Sequence, residues 1–136
     1  MTSIALVLMP VNPIAADGLT GGVVIDGAAS ISAAGNTTTI TQSTQNAIIN
    51  WNSFSIGAGQ TANFVQPNVN AAILNRVTGG SLSQIAGQLN ANGQVMIVNP
   101  QGVVFNSGST VNVGGLTAST LDVSNSQFMQ LSLIHI

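Results

Sequence analysis

Charge is nearly absent from this chain, and that shortage limits its possible folds more than any other feature. Across 136 residues the acids are Asp17, Asp26 and Asp122 and the only base is Arg76, with one histidine, His135, and no lysine, glutamate or cysteine. Charged residues amount to 3%, where an ordinary soluble domain carries about a quarter. A nucleic-acid partner requires a basic footprint, which one arginine cannot form. Zinc and iron–sulfur centres require clustered Cys or His, so neither metal nor cofactor is expected. Catalysis lacks its usual parts too: there is no lysine, the one histidine sits at the extreme C-terminus, and the three aspartates are far apart in sequence. We therefore expect no enzyme. The chain is nevertheless 45% hydrophobic, unlike disordered sequences, which combine low hydrophobicity with high charge. Its length suits one domain with a continuous core.

Without charge, the polar surface falls to Asn, Gln, Ser and Thr, punctuated by 15 glycines. Thr, Val and Ile favour extended backbone and Asn and Gly favour turns, while the helix formers Glu and Lys are missing. An all-β fold is expected. Strand-like segments between turn signals are Val23 to Ile25, Thr37 to Gln42, Ala47 to Ile56, Thr61 to Val65 and Ala71 to Val77. Further along come Gln94 to Val98, Val103 to Phe105, Thr110 to Val113 and Leu116 to Val123. Only Ser81 to Leu89 has helical spacing, with Leu82, Ile85 and Leu89 at i, i+3 and i+7.

Two architectures accept many short strands, a hairpin sandwich or a solenoid of stacked turns. Asp26-Gly27 and Asn92-Gly93 are hairpin-type pairs and keep the first open. The amide and hydroxyl content favours the second. In a parallel β-helix each residue stacks on its counterpart about 4.8 Å away; like charges would repel there, whereas Asn, Ser, Thr and Val ladders reinforce one another. At ~20 residues per turn, about six turns are expected.

The ends read differently. Ile4 to Met9 is a short apolar run, and Ile14-Ala15-Ala16 before Asp17 has the form of a signal-peptidase site. Residues 1–16 are read as the back end of a signal peptide whose start lies upstream of Met1, the alternative being an uncleaved first strand. Pro10, Pro13 and the brevity of the run exclude a membrane span, which needs ~20 apolar residues. Leu131 to Ile136 ends without turn or polar rim, so residues 131–136 are read as a doubtful or non-native tail and the whole chain as a truncated domain.

From Ala47 to about Gln130 the sequence resembles the N-terminal haemagglutination-activity, or two-partner secretion, domain of filamentous-haemagglutinin-type exoproteins. The residues that carry the resemblance are Ile49-Asn50-Trp51 with Phe54, Asn75-Arg76-Val77, Leu89-Asn90-Ala91-Asn92-Gly93 with Val95, Asn99-Pro100-Gln101-Gly102, and Val113-Gly114-Gly115-Leu116 through Ala118-Ser119-Thr120. Gln101 departs from the Asn-Pro-Asn-Gly of the family. The resemblance implies a right-handed parallel β-helix over residues 17–130, with short hairpin or cap elements, that acts as the secretion signal of a large bacterial exoprotein. It also implies export through the periplasm to the medium or cell surface, by a dedicated outer-membrane β-barrel transporter with periplasmic recognition domains. A host receptor would be met only by the passenger beyond this chain. The other reading is a self-standing adhesive or matrix-forming β-solenoid.

The candidate secretion residues are Asn99, Pro100, Gln101, Gly102, Asn75, Arg76 and Val77. By its chemistry the first group is a corner: Pro100 sets φ, Asn99 can bond to backbone ahead of it, and Gly102 relieves strain. On a strand, Asn75 and Val77 face one way and Leu74 and Arg76 the other. A structural role for Arg76 is expected, either paired with Asp26 or Asp122 or laid over apolar surface with its guanidinium in water or on carbonyls. Trp51, Phe54, Phe64 and Phe105 are expected in core or end-cap packing.

Overall fold

The computed structural model describes residues 18–135, so the signal-peptide reading of residues 1–16, Asp17 and Ile136 lie outside it. The described residues form fourteen strands and one helix. They are β1 (Leu19–Thr20), β2 (Val23–Asp26), β3 (Ala29–Ala34), β4 (Thr37–Gln42), β5 (Asn46–Trp51), β6 (Ser53–Phe54) and β7 (Thr61–Val65). Then follow β8 (Ala72–Val77), β9 (Ser83–Ile85), β10 (Gln88–Ala91), β11 (Gln94–Val98), β12 (Val103–Phe105), β13 (Thr110–Asn112), β14 (Gly115–Ser119) and α1 (Asn125–His135).

From Thr37 onward the chain winds as a parallel β-solenoid of about four turns. Strands β4, β7, β10 and β13 stack in parallel on one face, and β5, β8, β11 and β14 on a second. The third face is short, with β9 parallel to β12 and a bridge from Ile56 to Ile85. Successive turns carry Thr37 onto Thr61, Gln88 and Thr110. These are longer turns than the sequence suggested, one reason for four rather than six. The other is the N-terminal segment, which adds no parallel turn. Strands β1, β2 and β3 pair antiparallel with β6, β5 and β4. They run round the first turn in the opposite sense and reverse at the two-residue turn Gly35-Asn36, where Gly35 has φ 59°.

Inward rows build the core. Ala47, Ile73, Val95 and Leu116 stack in one, Thr38, Ala62, Leu89 and Val111 in another. Trp51 and Phe54 meet edge to face, with ring centroids 5.7 Å apart, and Phe54 stacks on Phe64. Each fully buried aliphatic is worth about 1.5–3 kcal/mol against exposure, so in-register rows of them outweigh the modest propensity of any one short strand. Phe105 departs from the expected packing: it lies half exposed on the last turn of its face, with no rung stacked beyond it.

The structure corrects three further expectations. Ser81 to Leu89 is not helical but supplies β9 and the start of β10, because Gly87 seats its backbone directly against the Gly57 and Gln60 carbonyls of the turn below, where a Cβ would clash. Asp26-Gly27 and Asn92-Gly93 join strands of different faces and form corners, not hairpins. A helix exists that composition did not suggest. Ser124 caps α1 by accepting from the Gln127 amide at 3.1 Å, and the Ser-x-x-Gln spacing is the helix-start pattern. The aromatic ring of Phe128 then covers an apolar strip on the outer face, built from Ile48, Leu74 and Val98. With both faces covered, β5 is almost wholly buried.

Candidate functional site

The two motifs singled out from sequence lie on adjoining turns. Arg76 of β8 is in register with Val98 of β11, which places Asn99 beside Val77 as the chain leaves the sheet.

Residues 99–102 form a turn closed by the Gly102 amide donating to the Asn99 carbonyl at 2.9 Å. The Asn99 side chain is fully buried and bonds on both ends. Its Oδ1 accepts from the Gln101 amide at 2.9 Å, while Nδ2 donates to the Ser81 carbonyl at 3.0 Å and to Ser83 Oγ at 2.9 Å. Ser83 is itself buried and its amide donates to the Gly102 carbonyl. One carboxamide thus ties the corner of the third turn to the entry of β9 on the second. A buried amide is tolerated only when so satisfied. Pro100 and Gln101 project into solvent, so the Gln at the third position costs the turn nothing. Gly102 has φ 114°, a region open to glycine and scarcely to other residues.

Within β8 the alternation is as expected. Asn75 faces inward in the row Ile49, Asn75, Ile97, Ala118 and is fully buried. Trp51 Nε1 donates to its Oδ1 at 2.9 Å, and its Nδ2 reaches the Met96 carbonyl at 3.3 Å. Val77 packs in the core. Arg76 faces outward and is held at every nitrogen: Nε on Asp122 Oδ1 at 2.9 Å, Nη2 on the Val123 carbonyl at 2.8 Å, Nη1 on Asn50 Oδ1 at 3.3 Å. Its partner is therefore Asp122, not Asp26. The arginine side chain is 14% exposed and the aspartate 57%, so the pair is half-wet and its value lies in geometry more than in Coulomb energy. It straps the segment leading into α1 across the sheet.

A third polar element went unseen in the sequence. Gln42 and Gln66, at the ends of successive strands, are both buried. Gln66 Nε2 lies within bonding distance of Gln42 Oε1 at 3.1 Å, Ala71 O at 3.2 Å and Gln94 O at 3.1 Å, and its Oε1 accepts from the Gly93 amide. Gln42 Nε2 contacts the carbonyls of Thr44, Gln45 and Ala72. Asn92 exchanges two bonds with the Gln66 backbone. The corner between the first and second faces is thus bound by stacked carboxamides. The matching signal is a Gln at one register position of two successive turns, legible only once the register is known.

The arrangement is one of pinned corners: buried amides hold them, and Pro100 and Gln101 lie exposed on one of them. Among the described residues no group of three or more His, Cys, Asp or Glu comes together to hold a metal ion, and no helix is long and apolar enough to cross a membrane.

Comparison with known proteins agrees with this geometry. The family model described as TPS secretion domain matches residues 14–135. A heme/hemopexin-binding protein of Haemophilus influenzae strain Rd is 47% identical over 103 residues, which are 76% of this chain and 11% of that protein. A second heme/hemopexin-binding protein of Haemophilus influenzae is 48% identical over 85 residues, 62% of this chain and 9% of its own length. Among solved structures, the crystal structure of the HMW1 secretion domain from Haemophilus influenzae superposes with a TM-score of 0.80 at 42% identity, covering 84% of this chain and 30% of that one. The chain therefore spans about a tenth of the length of the curated relatives it matches.

Proposed function

Because this chain belongs to the TPS secretion domain family, we propose that it is the secretion-signal module of a large bacterial exoprotein and is exported by a dedicated outer-membrane β-barrel transporter. The observation that carries the reading is the match of the family model across residues 14–135 on a fold shared with a solved secretion domain. The mature module starts at Asp17 after cleavage behind Ala16, crosses the periplasm to the transporter, and folds outside the cell. A chain so poor in charge and free of cysteine suits passage through a pore, since it carries little that must be desolvated and forms no disulfide beforehand.

In this reading the motif residues act through folding and display. Asn99 and Gly102 set the corner, Pro100 and Gln101 present it to the transporter, and Asn75, Arg76 and Val77 lock the neighbouring turn. The passenger, on the pattern of the curated relatives named above, is a heme/hemopexin-binding protein that meets its own ligand at the host. Secretion of the full exoprotein with its transporter tests this. Asn99→Ala removes three side-chain bonds and should lower the amount in the medium several-fold, whereas Gln101→Asn should leave it unchanged. Equal secretion of wild type and Asn99→Ala would remove the corner from the mechanism.

A further inference from the structure

We propose that Asn92-Gly93 is a deamidation site that folding closes, and that Gln66 of the turn below is the residue that guards it. Asn92-Gly93 is the only Asn-Gly pair in the sequence. In an unfolded chain such a pair is reactive, because glycine has no Cβ to keep the preceding carboxamide away from its amide nitrogen. The Gly93 nitrogen gives its proton to solvent base and attacks Asn92 Cγ. The new N–Cγ bond closes a succinimide ring, and the Cγ–Nδ2 bond breaks with release of ammonia. Water then opens the ring at one of its two carbonyls, leaving aspartate or isoaspartate at position 92.

In the folded chain every group this step needs is held by Gln66. Asn92 Nδ2, the leaving group, donates to the Gln66 carbonyl at 2.7 Å, and Asn92 Oδ1 accepts from the Gln66 amide at 2.7 Å. The Gly93 amide, the nucleophile, donates to Gln66 Oε1 at 2.9 Å. Gln66 is buried and fixed in turn by the contacts of its Nε2 with Gln42, Ala71 and Gln94. Asn92 itself lies at the surface, so solvent reaches the pair and the protection comes from these bonds rather than from burial. Gly93 is buried, and the Ala71 carbonyl and the Gln66 side chain crowd its Cα, which leaves the glycine little room to move toward Cγ. Ring closure must break three hydrogen bonds, a slowing of at least about tenfold.

The same corner makes the modification costly when it precedes folding. Aspartate at 92 sets an acceptor against the Gln66 carbonyl where Asn92 offers a donor. Isoaspartate carries the main chain through Cβ and lengthens it by one atom just ahead of β11, whose pairing on β8 begins at Gln94 with Ala72. A chain that has folded is protected, while one that stays unfolded acquires a lesion at the corner from which β11 is laid down.

The full exoprotein recovered from the medium, either folded or unfolded in urea, is held in mildly alkaline buffer. The peptide spanning residues 92–93 is followed by mass for conversion of amide to acid and by enzymatic methylation of isoaspartate. Deamidation at Asn92 should be at least about tenfold faster in urea, whereas exposed Asn106, before Ser107, should react at similar rates in both states. Gln66→Met keeps the bulk but takes the acceptor from the Gly93 amide, and should raise the folded-state rate several-fold; the wild-type comparison decides the matter where that variant fails to fold. Asn92→Asp should speed hydrogen exchange in residues 88–98. Equal rates at Asn92 in the folded and unfolded chain, or no reaction there in urea, would overturn the gating. An unchanged rate in folded Gln66→Met would remove Gln66 from it, and unchanged exchange in Asn92→Asp would refute the cost to the corner.

Discussion

The buried pair Trp51–Asn75 offers a quantitative test of how this core accommodates an amide. Asn75 interrupts an otherwise aliphatic row and its Oδ1 takes the indole proton at 2.9 Å. Replacing it by Leu keeps the volume nearly constant, yet leaves Trp51 Nε1 buried without an acceptor and the Met96 carbonyl without its side-chain donor. Stranding a buried donor costs about 1–3 kcal/mol, so Asn75→Leu should destabilise by about 2 kcal/mol even though a more apolar residue is introduced. Trp51→Phe removes the donor but also leaves space, at about 1–3 kcal/mol. With both changes the polar mismatch disappears. The double variant should therefore be less destabilised than the sum of the two, with a coupling of about 1–2 kcal/mol. Urea unfolding followed by far-ultraviolet circular dichroism, which needs no tryptophan, measures all four corners of the cycle. Additive effects within about 0.3 kcal/mol would show that the indole–amide bond contributes nothing specific and that Asn75 is held for another reason.

Two further outcomes follow from the packing. Phe128→Ala should release α1 from Ile48, Leu74 and Val98 at a cost of about 3 kcal/mol, and Arg76→Met should loosen the same strap by about 1 kcal/mol after allowance for solvent screening. Hydrogen exchange should then rise in residues 120–130 while β8 and β11 keep their protection; uniform loss across the solenoid would refute the strap. Gly87→Ala should destabilise by about 3 kcal/mol because its Cβ meets the Gly57 and Gln60 carbonyls, whereas Gly108→Ala, with open space around it, should be within about 0.5 kcal/mol of wild type, both read from thermal unfolding.

Strand positions were legible where period-two apolar alternation meets turn residues: Thr37 to Gln42, Thr61 to Val65, Gln94 to Val98 and Val103 to Phe105 match β4, β7, β11 and β12. That Asn75 shares a face with Val77, opposite Leu74 and Arg76, followed from the same alternation. What escaped depends on contacts distant in sequence. Strand β3 is Ser- and Ala-rich, with little propensity of its own, and exists because it pairs with β4 through a turn whose Gly35 was not flagged. The carbonyls of Gly57 and Gln60 that leave no room for a side chain at Gly87 belong to the turn below, far from it in sequence. Arg76 had two candidate carboxylates by sequence, and only the path of the chain after β14 brings Asp122 within reach. The Gln42–Gln66 ladder required the register itself. The Ser124-x-x-Gln127 capping pattern stands in a chain otherwise poor in helix formers, so composition alone gives no sign of α1.

Strand polarity also gives the solenoid a direction. At the N-terminal end the chain enters the first parallel turn only after running backwards around it, so Trp51, Phe54 and Ile40 are covered by the cap from the outset. At the other end the rows stay open, with Val111 and Leu116 waiting on the last turn. A further turn added there gains a parallel ladder on a preformed edge and buries a row already aligned, whereas the first turn must be closed at full entropic cost. Folding that begins at the cap and advances toward the C-terminus therefore needs no long-range search after its first step. For a chain delivered progressively, the stacked carboxamides at the corners hold each completed turn in register while the next is laid down, without the repulsion that stacked charges would bring.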